Sequence, residues 1–587
     1  MRCGWFGRLL RINLSKPEWS FEEISEDVLH RFIGGRGLGI SIAGAEIKPG
    51  TEPLSDENKI IFCTGPLTAT GVPTSSRFTC TTVSPLTRTM FDSNCGGNFG
   101  IQLKRCMLDA VIIEGRCDTP VQIHINGDKV EFSDAGNLWG KTTGAVFDAL
   151  HEKGSVLCIG PAGENLVRFA NIQTTNYHAF GRGGIGAVMG YKHLKAITCR
   201  GSANVPVADK ENLGFFIMNM KKWLDANPIT SKALPQLGTA GLVNLINEYG
   251  MLPVKYWSEG CDAHADMVSG ERLRTLFMKE ESCQACPIKC GRFSKSSGVS
   301  VKGPEYETIW ALGINCGIFD MGYIIRANKL CNELGLDTIT TGVTIAAAMH
   351  TGESSGTEPS FGDAENALKL IQEIAYRNGP GSELAEGSES YCRKKGFTSY
   401  TVKGLELPAY DPRGAFGMGL AYATANRGGC HLKGYMIAPE ILGIPRFFNR
   451  FSISDKPDIV VRVQHTGAVI DSLVLCLFTN FAVSESYYAR ILTAVTGIEY
   501  SQEALQKIGE RIWNAERVWN VAAGRAVDTL PETFLSVPLS SGNSAGHVVP
   551  LNEMLERYYA IRGWDNAGKP RAEKLKELGL VPLFNDQ

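Results

Sequence analysis

Three cysteines fall within one short stretch, CQACPIKC: Cys283, Cys286 and Cys290. Thiols this close can converge on one centre. Iron–sulfur clusters are held by cysteine thiolates, normally four of them. Zinc also takes four ligands, often with Cys-x2-Cys pairs. The spacing favours iron–sulfur and leaves zinc and a plain group of buried thiols open. It is the reverse of the C-x3-C-x2-C order that radical SAM chemistry uses. A fourth ligand must come from elsewhere. Cys316, Cys331, Cys430 and Cys476 all lie downstream, and local sequence does not choose among them. Past the cluster of thiols comes GPEYET, with Glu305, Tyr306 and Glu307. A carboxylate and a phenol beside a redox centre can handle protons, although a solvated loop has the same composition. NRGGCHLKGY adds Cys430 and His431, and a lone histidine is more often structural than catalytic.

Two glycine-rich stretches raise a nucleotide reading. One is IGGRGLG from Ile33; the other is GRGGIG, in which Gly181, Gly183 and Gly186 fit G-x-G-x-x-G. The dinucleotide fingerprint also needs a preceding strand, a following helix and an acid about 20 residues on. NYHAF, before the second stretch, reads as a poor strand. Asp209 lies at the right distance but across an apparent change of domain. A tight turn, or amides held against another phosphate-bearing ligand, is the better expectation.

The elements that must position these groups change character along the chain. KIIFC from Lys59, DAVIIEG from Asp109 and SVLCIG from Ser155 are short apolar runs that read as strands. VQIHINGDKVEF from Val121 reads as a hairpin turning at Asn126-Gly127. From about Asp209 helical spacing takes over, first in Leu213, Phe216, Ile217, Met220, Trp223 and Leu224. A second helix runs through Leu368, Ile371 and Ile374 with a stop at Gly379, and a third begins at Ser501. The expected fold is α+β: a β-rich domain over 1–207, then mainly helical domains over 208–408 and 409–587. The polar stretch Gly404–Gly414 marks the second boundary. No repeat of solenoid period is visible.

Composition limits the partners. Of 587 residues 43% are hydrophobic and 20% charged, which excludes wholesale disorder. A net charge of −2 with no run of like charges argues against a nucleic-acid or anionic-membrane binder. The most apolar stretches, such as TGVTIAAAM from Thr341, are about half the ~20 residues a membrane span needs. The first residues, MRCGWFGRLLRINLSKPEW, show no apolar signal region. A cytoplasmic protein is therefore expected, with its 17 cysteines reduced.

In order along the chain, GGRGLG, SSRF, SNCGGNFG, GRGGIGAVMG, CQACPIKC, GPEYET, NELGLD, NRGGCHL, DSLVLC and YYAIRGWDNAGKP resemble the landmarks of the tungsten-containing aldehyde:ferredoxin oxidoreductase family. They span almost the whole chain. The resemblance implies one tungsten (or molybdenum) held by two pterins, one [4Fe–4S] cluster, and a Mg2+ joining the pterin phosphates. It makes Cys283, Cys286, Cys290 and Cys476 the cluster ligands.

The family's two D-x-x-G-L-(C/D) pterin segments would be Asn332 to Asp337 and Asp471 to Cys476. Asn332, Leu336 and Asp337 are the implied contacts in the first. Asp471, Leu475 and the adjacent Leu477 are those in the second. Two departures stand out: Asn332 replaces an aspartate and Val474 replaces a glycine. A valine does not take positive φ cheaply, so the turn before Cys476 is expected not to need it. Other implied pterin contacts are Arg77, Asn94, Cys95, Gly96, Ala179, Phe180, Arg182, Arg427 and Lys433. Asn94 and Ala179 or Phe180 would give carbonyls to Mg2+, and Arg77 would lie between a pterin and the cluster.

The implied reaction turns an aldehyde into a carboxylic acid, with Glu307 as general base, His431 donating to the carbonyl oxygen, and Tyr306 alongside. Electrons would leave through the cluster to ferredoxin or a small iron–sulfur subunit. A homodimer or hetero-oligomer is compatible with this. No E-x-x-H stands near residues 326–380, so a bridging iron is not expected. Other members of the family reduce aromatic thioesters, where a cysteine such as Cys316 or Cys95 would be asked to reach the metal. An electron-transfer subunit without aldehyde activity is the remaining alternative, and it has no use for Glu307 and His431.

Overall fold

The computed structural model describes residues 2–356 and 359–580. The first six strands are β1 (Arg8–Asn13), β2 (Glu18–Glu23), β3 (Ile60–Cys63), β4 (Phe78–Val83), β5 (Met90–Cys95) and β6 (Ala110–Glu114). They form one sheet in the order β2-β1-β6-β3-β4-β5. The next six are β7 (Val121–Asn126), β8 (Lys129–Asp134), β9 (Ser155–Cys158), β10 (Ile172–Thr174), β11 (His178–Phe180) and β12 (Leu194–Arg200). Their order, β8-β7-β12-β9-β10-β11, repeats the first. The pairing repeats too. An antiparallel hairpin opens each sheet, the first and sixth strands pair parallel, and every other pair is antiparallel.

The N-terminal part is thus one six-stranded unit used twice. The edge strands β5 and β11 lie against each other. Phe78 of β4 meets Phe180 of β11 edge to face, their rings 4.6 Å apart, a favoured aromatic geometry. In register, Thr79 pairs with Asn94 and Gln173 with Ala179, so Asn94 and Ala179 occupy equivalent places in the two units.

NYHAF does end in a strand, but a three-residue antiparallel edge strand, unlike the parallel strand of a dinucleotide fold. The glycines after it serve the protein's own packing. A Cβ on Gly184, at φ +72°, would lie 1.9 Å from the Arg168 carbonyl oxygen, whereas one on Gly181 would meet nothing within 4 Å. The hairpin forms as expected, with its two-residue turn one position later than read, at Gly127-Asp128.

Helices dominate from Lys210 onward, interrupted by a small sheet of β13 (Phe277–Glu281), β14 (Gly291–Ser296) and β15 (Val299–Lys302). CQACPIKC is the loop between β13 and β14, closed by the Glu281–Gly291 pair. β15 then leads to the helix Tyr306–Leu312. Two helices end in matching turns. Met321–Leu334 stops at Gly335, with φ +79°, and Lys456–Leu473 stops at Val474, with φ +57°. The expectation for Val474 is therefore corrected: this β-branched residue does adopt the left-handed conformation. Its side chain is fully buried. A Cβ on Gly35 or Gly65 would come within 2.9 Å of its methyls, so those glycines make room for it. Left-handed backbone costs roughly 1–2 kcal/mol, and burying a valine contributes about as much.

Every residue from Gly404 to Gly414 is buried, so this stretch is packed into the fold. The helix Ala364–Tyr376 ends on Arg377, at φ +52°, two residues before the expected stop.

Replacing Gly184 by alanine is expected to lower the melting temperature by several degrees, through the left-handed backbone and the clash with Arg168. Gly181→Ala should leave it within about a degree. Thermal unfolding of the two variants measures the contrast.

Candidate active site

Cys283, Cys286, Cys290 and Cys476 line one cavity. Of the downstream cysteines left open by sequence, only Cys476 does so among the described residues. Cys316 is buried and points its thiol at the carbonyls of Ala311 and Gly342. Cys430 accepts from Arg427 at 2.9 Å. The backbone just before the ligand positions is unusual. Ala285 and Lys289 have φ of 59° and 50°, and Val474 stands two residues before Cys476. Non-glycine residues in this region carry strain that folds retain mainly at functional places. Burial, followed by the neighbouring cysteines, pushes Cys286 up to about 12, and burial raises Cys290 and Cys476 as well. Burial thus favours the protonated form of these three thiols.

The cavity continues between the two sheet units. Arg77, Gly96, Ala179, Asn332, Leu336, Asp337, Tyr306, Glu307 and His431 share its wall with the four cysteines. Asn94, Cys95, Phe180, Arg182, Arg427, Lys433, Asp471 and Leu475 stand behind it. Leu477 faces a separate cavity that also touches Tyr435 and Phe481.

The two helix-end turns dock on equivalent places of the repeat. The Cys476 amide donates to the Thr74 carbonyl at 3.1 Å. The Asn171 amide and side chain donate to the Gly335 and Leu336 carbonyls, each at 2.8 Å. Asp337 caps the next helix by accepting from Ile339 and Thr340, and it pairs with Arg182 at 3.3 Å.

Behind the wall lies a set of buried ions that sequence reading did not assemble. Lys433 reaches Asp92 at 2.6 Å and Asp471 at 2.7 Å. Arg36 reaches Glu516 at 2.6 Å and Asp471 at 3.4 Å. Asn94 donates to Asp471 at 3.3 Å and accepts from Arg77 at 2.6 Å. Burial works against the Asp92 charge, but Lys433, Arg36 and Arg427 outweigh it and hold the carboxyl well below its usual range. Asp92, Glu516 and Arg36 carried no signal of their own. Arg36 lies inside GGRGLG, where the glycines are the only local signal.

Glu307 and His431 meet on the other side. Glu307 Oε1 is 3.6 Å from His431 Nε2, beyond a hydrogen bond. Its Oε2 accepts from the Ala409 amide at 3.1 Å, and the Tyr306 hydroxyl donates to the Ala409 carbonyl at 2.8 Å. Tyr306 thus grips the residue that grips Glu307. Glu307 Oε1, His431 Nδ1 and Ser76 Oγ, all on residues of the cavity wall, are buried without hydrogen-bond partners. Native folds rarely leave such groups orphaned, so this cleft suits a polar occupant. Burial drives Glu307 up to about 8 and His431 down to about 3, with Arg182 and Arg427 adding to the effect on His431. Both are neutral at pH 7.

A repeated sheet unit, a pocket of four thiols and a buried acid–imidazole pair define a redox enzyme. The family model for the N-terminal domain of aldehyde ferredoxin oxidoreductase matches residues 9–201, and that for its domains 2 and 3 matches 216–580. The chain belongs to the aldehyde ferredoxin oxidoreductase family. It is 45% identical to the tungsten-containing aldehyde ferredoxin oxidoreductase of Pyrococcus furiosus, covering 99% of this chain and 100% of that one. To the protein of the same name from Thermococcus kodakarensis it is 46% identical, with the same coverage. A more distant relative, 31% identical over 98% of this chain and 97% of its own, is the aliphatic sulfonate oxidoreductase WOR-like subunit of Pyrococcus furiosus. Among solved structures, the active site complex BamBC of benzoyl coenzyme A reductase with 1,5-dienoyl-CoA shares the fold. Its TM-score is 0.86 at 24% identity, covering 100% of this chain and 98% of that one.

The raised Glu307 gives a stability test. A carboxyl whose folded pKa lies above its ordinary 4.5, here about 8, stabilises the fold below pH 4.5. That contribution is lost as pH rises toward 8, at up to roughly 1.4 kcal/mol per unit before discounting for partial exposure. Glu307→Gln in cofactor-free protein should melt like wild type near pH 5 and several degrees higher near pH 8.5. Melting curves at the two pH values check the sign.

Proposed function

We propose that this chain oxidises aldehydes to carboxylic acids at a bis-pterin tungsten centre. One [4Fe–4S] cluster would stand on Cys283, Cys286, Cys290 and Cys476, and a Mg2+ at the pterin phosphates. The carrying observation is that four thiols and an orphaned Glu307–His431 pair face one cleft, in a chain that matches tungsten aldehyde ferredoxin oxidoreductases from end to end. The donor sets suit these groups. The four thiols line one cavity, and four cysteines are the usual ligand set of an iron–sulfur cluster. Asn94 and Ala179 hold equivalent edge positions, which favours one cation shared between two pterins. Arg77, Arg182, Arg427 and Lys433 offer charge to phosphate. Gly96, Phe180, Cys95, Asn332, Leu336, Asp337, Asp471 and Leu475 complete the implied contacts, whereas Leu477, on a separate cavity, drops out of them.

When bound, the tungsten–pterin group would take up the two electrons that aldehyde oxidation releases. The protein's part is position and protons. His431 is neutral, so it presents one N–H and one lone pair. Its N–H donates to the aldehyde oxygen as charge grows there. Glu307 receives the proton released from water or the hydrated aldehyde. Only about a tenth of Glu307 is ionised at pH 7 if its pKa is about 8, so turnover should rise with pH through that value. Tyr306 is a positioning residue that acts through Ala409. Tyr410 and Tyr435, with rings 5.8 and 6.3 Å from His431, keep water away from the pair. Electrons go to a ferredoxin or a small iron–sulfur subunit, in the anaerobic cytoplasm.

Anaerobically purified protein should carry about one tungsten and four iron per chain and reduce viologen when given simple aldehydes. Glu307→Ala should lower turnover by about 100-fold or more with metals retained. Cys476→Ser should lose iron and keep tungsten. Tungsten and iron without aldehyde activity would move the assignment to a reductase branch, and full activity in Glu307→Ala would remove that residue from the chemistry.

A further inference from the structure

We infer that Lys302, held by His178, is a second fixed cation of the thiol pocket and sets how readily the cluster there is reduced. The inference rests on the cluster assigned above. Lys302 ends β15, and its carbonyl accepts from Asn328 at 2.9 Å, which anchors the backbone. Its Nζ lies 2.7 Å from Nδ1 and 3.1 Å from Nε2 of His178. Both residues line the same cavity as the four cysteines. Among the described residues no carboxylate comes within ion-pair distance of Lys302. An imidazole carries no negative charge, so His178 holds the ammonium without cancelling its charge.

The Gly96-Gly97 turn fixes this pair against the thiols. A Cβ on Gly96 would lie 2.8 Å from Cys283 Sγ and 3.6 Å from His178 Nδ1, and one on Gly97 would lie 3.0 Å from the His178 ring. The turn is therefore wedged between the imidazole and a cluster ligand. The Lys302 charge is felt at Cys95, as is that of Arg77. Among the described residues Arg77 has no carboxylate at ion-pair distance; the thiols of Cys476, Cys283 and Cys95 act on it first and Asp471 after them.

Two part-buried cations that face thiols rather than acids are costly in an empty pocket. They suit a pocket that holds net negative charge. A cluster on four thiolates is such a charge, and it gains one more electron on reduction. A fixed cation favours the reduced form, and a buried one is weakly screened by salt. Arg77 touches the Asn94–Asp471 side, whereas Lys302 stands on the β13–β15 side, so the two flank the thiols from different elements.

The test is a redox titration of the anaerobically purified holoenzyme, followed by the electron paramagnetic resonance signal of the reduced cluster. Lys302→Met and Lys302→Gln remove the charge, and the glutamine still donates to His178. Each should shift the one-electron equilibrium about tenfold toward the oxidised form, equal to a fall of 59 mV. Lys302→Arg should stay near wild type. Lys279→Met, an equal loss of charge at an exposed place on the same small sheet, should shift it far less. An unchanged potential in both neutral variants with full iron content would overturn the inference. So would an equal shift in Lys279→Met. A wild-type protein with no reducible cluster would instead overturn the reading beneath it.

Discussion

Lys433 sits buried between two carboxylates, Asp92 and Asp471, and much of the site depends on that contact. Each partner belongs to a different stretch that must reach the cleft. Asp92 lies on β5, just before Asn94, Cys95 and Gly96. Asp471 lies near the end of a helix, just before Val474 and Cys476. Lys433 follows His431 by two residues. Arg36 and Glu516 add the glycine-rich helix and the helix Gln502–Ala522 to the same network. Removing one member of a buried pair typically costs about 3–5 kcal/mol, because it leaves the other charge stranded. The network is therefore better understood as a registration device than as a store of stability. It holds a sheet edge, a helix end and a histidine loop at one relative position.

The repeated sheet unit explains why so much of the cleft comes in pairs, and its one clear departure explains where the pairing stops. Asn94 and Ala179 are equivalent, and both helix-end turns dock beside the fourth strand of their unit. Directly before β4 stands Arg77; directly before β10 stands Asn171. The asparagine spends its side chain on the Leu336 carbonyl. The arginine has no such backbone partner and faces the thiols. Arginine in one unit and asparagine at the equivalent place in the other distinguish the thiol side of the cleft from its counterpart.

The parts legible in the sequence were those whose signal is local. CQACPIKC declares itself because a hairpin loop brings its three thiols together. The early strands were visible because they are short apolar runs. Cys476 was not separable from its rivals by spacing, since a long-range turn delivers it; only the resemblance picked it out. The duplication lies in strand order and pairing; in the sequence it leaves only short matches such as CTGP from Cys63 and CIGP from Cys158. Val474 was misread because the rule that a β-branched residue avoids left-handed backbone ignores the room that Gly35 and Gly65 leave for it. The ion network was missed for a similar reason. Arg36, Asp92 and Glu516 are ordinary residues in their own segments and acquire meaning only when the fold desolvates them together.

The two sides of the cleft use charge in opposite ways. Around the thiols stand the side chains of Arg77 and Lys302, neither with a carboxylate at ion-pair distance among the described residues, which prepares that side for a negative group. Around Glu307 and His431 desolvation removes charge, raising the acid to about 8 and lowering the imidazole to about 3. A neutral pair can receive an uncharged aldehyde without first giving up a hydrated ion. It can also hold one proton between two groups of very different basicity. Had both sides carried charge, the field of one would have shifted the other with every electron. Keeping the proton-handling pair neutral and confining fixed charge to the thiol side lets one buried cleft manage electrons and protons through separate residues.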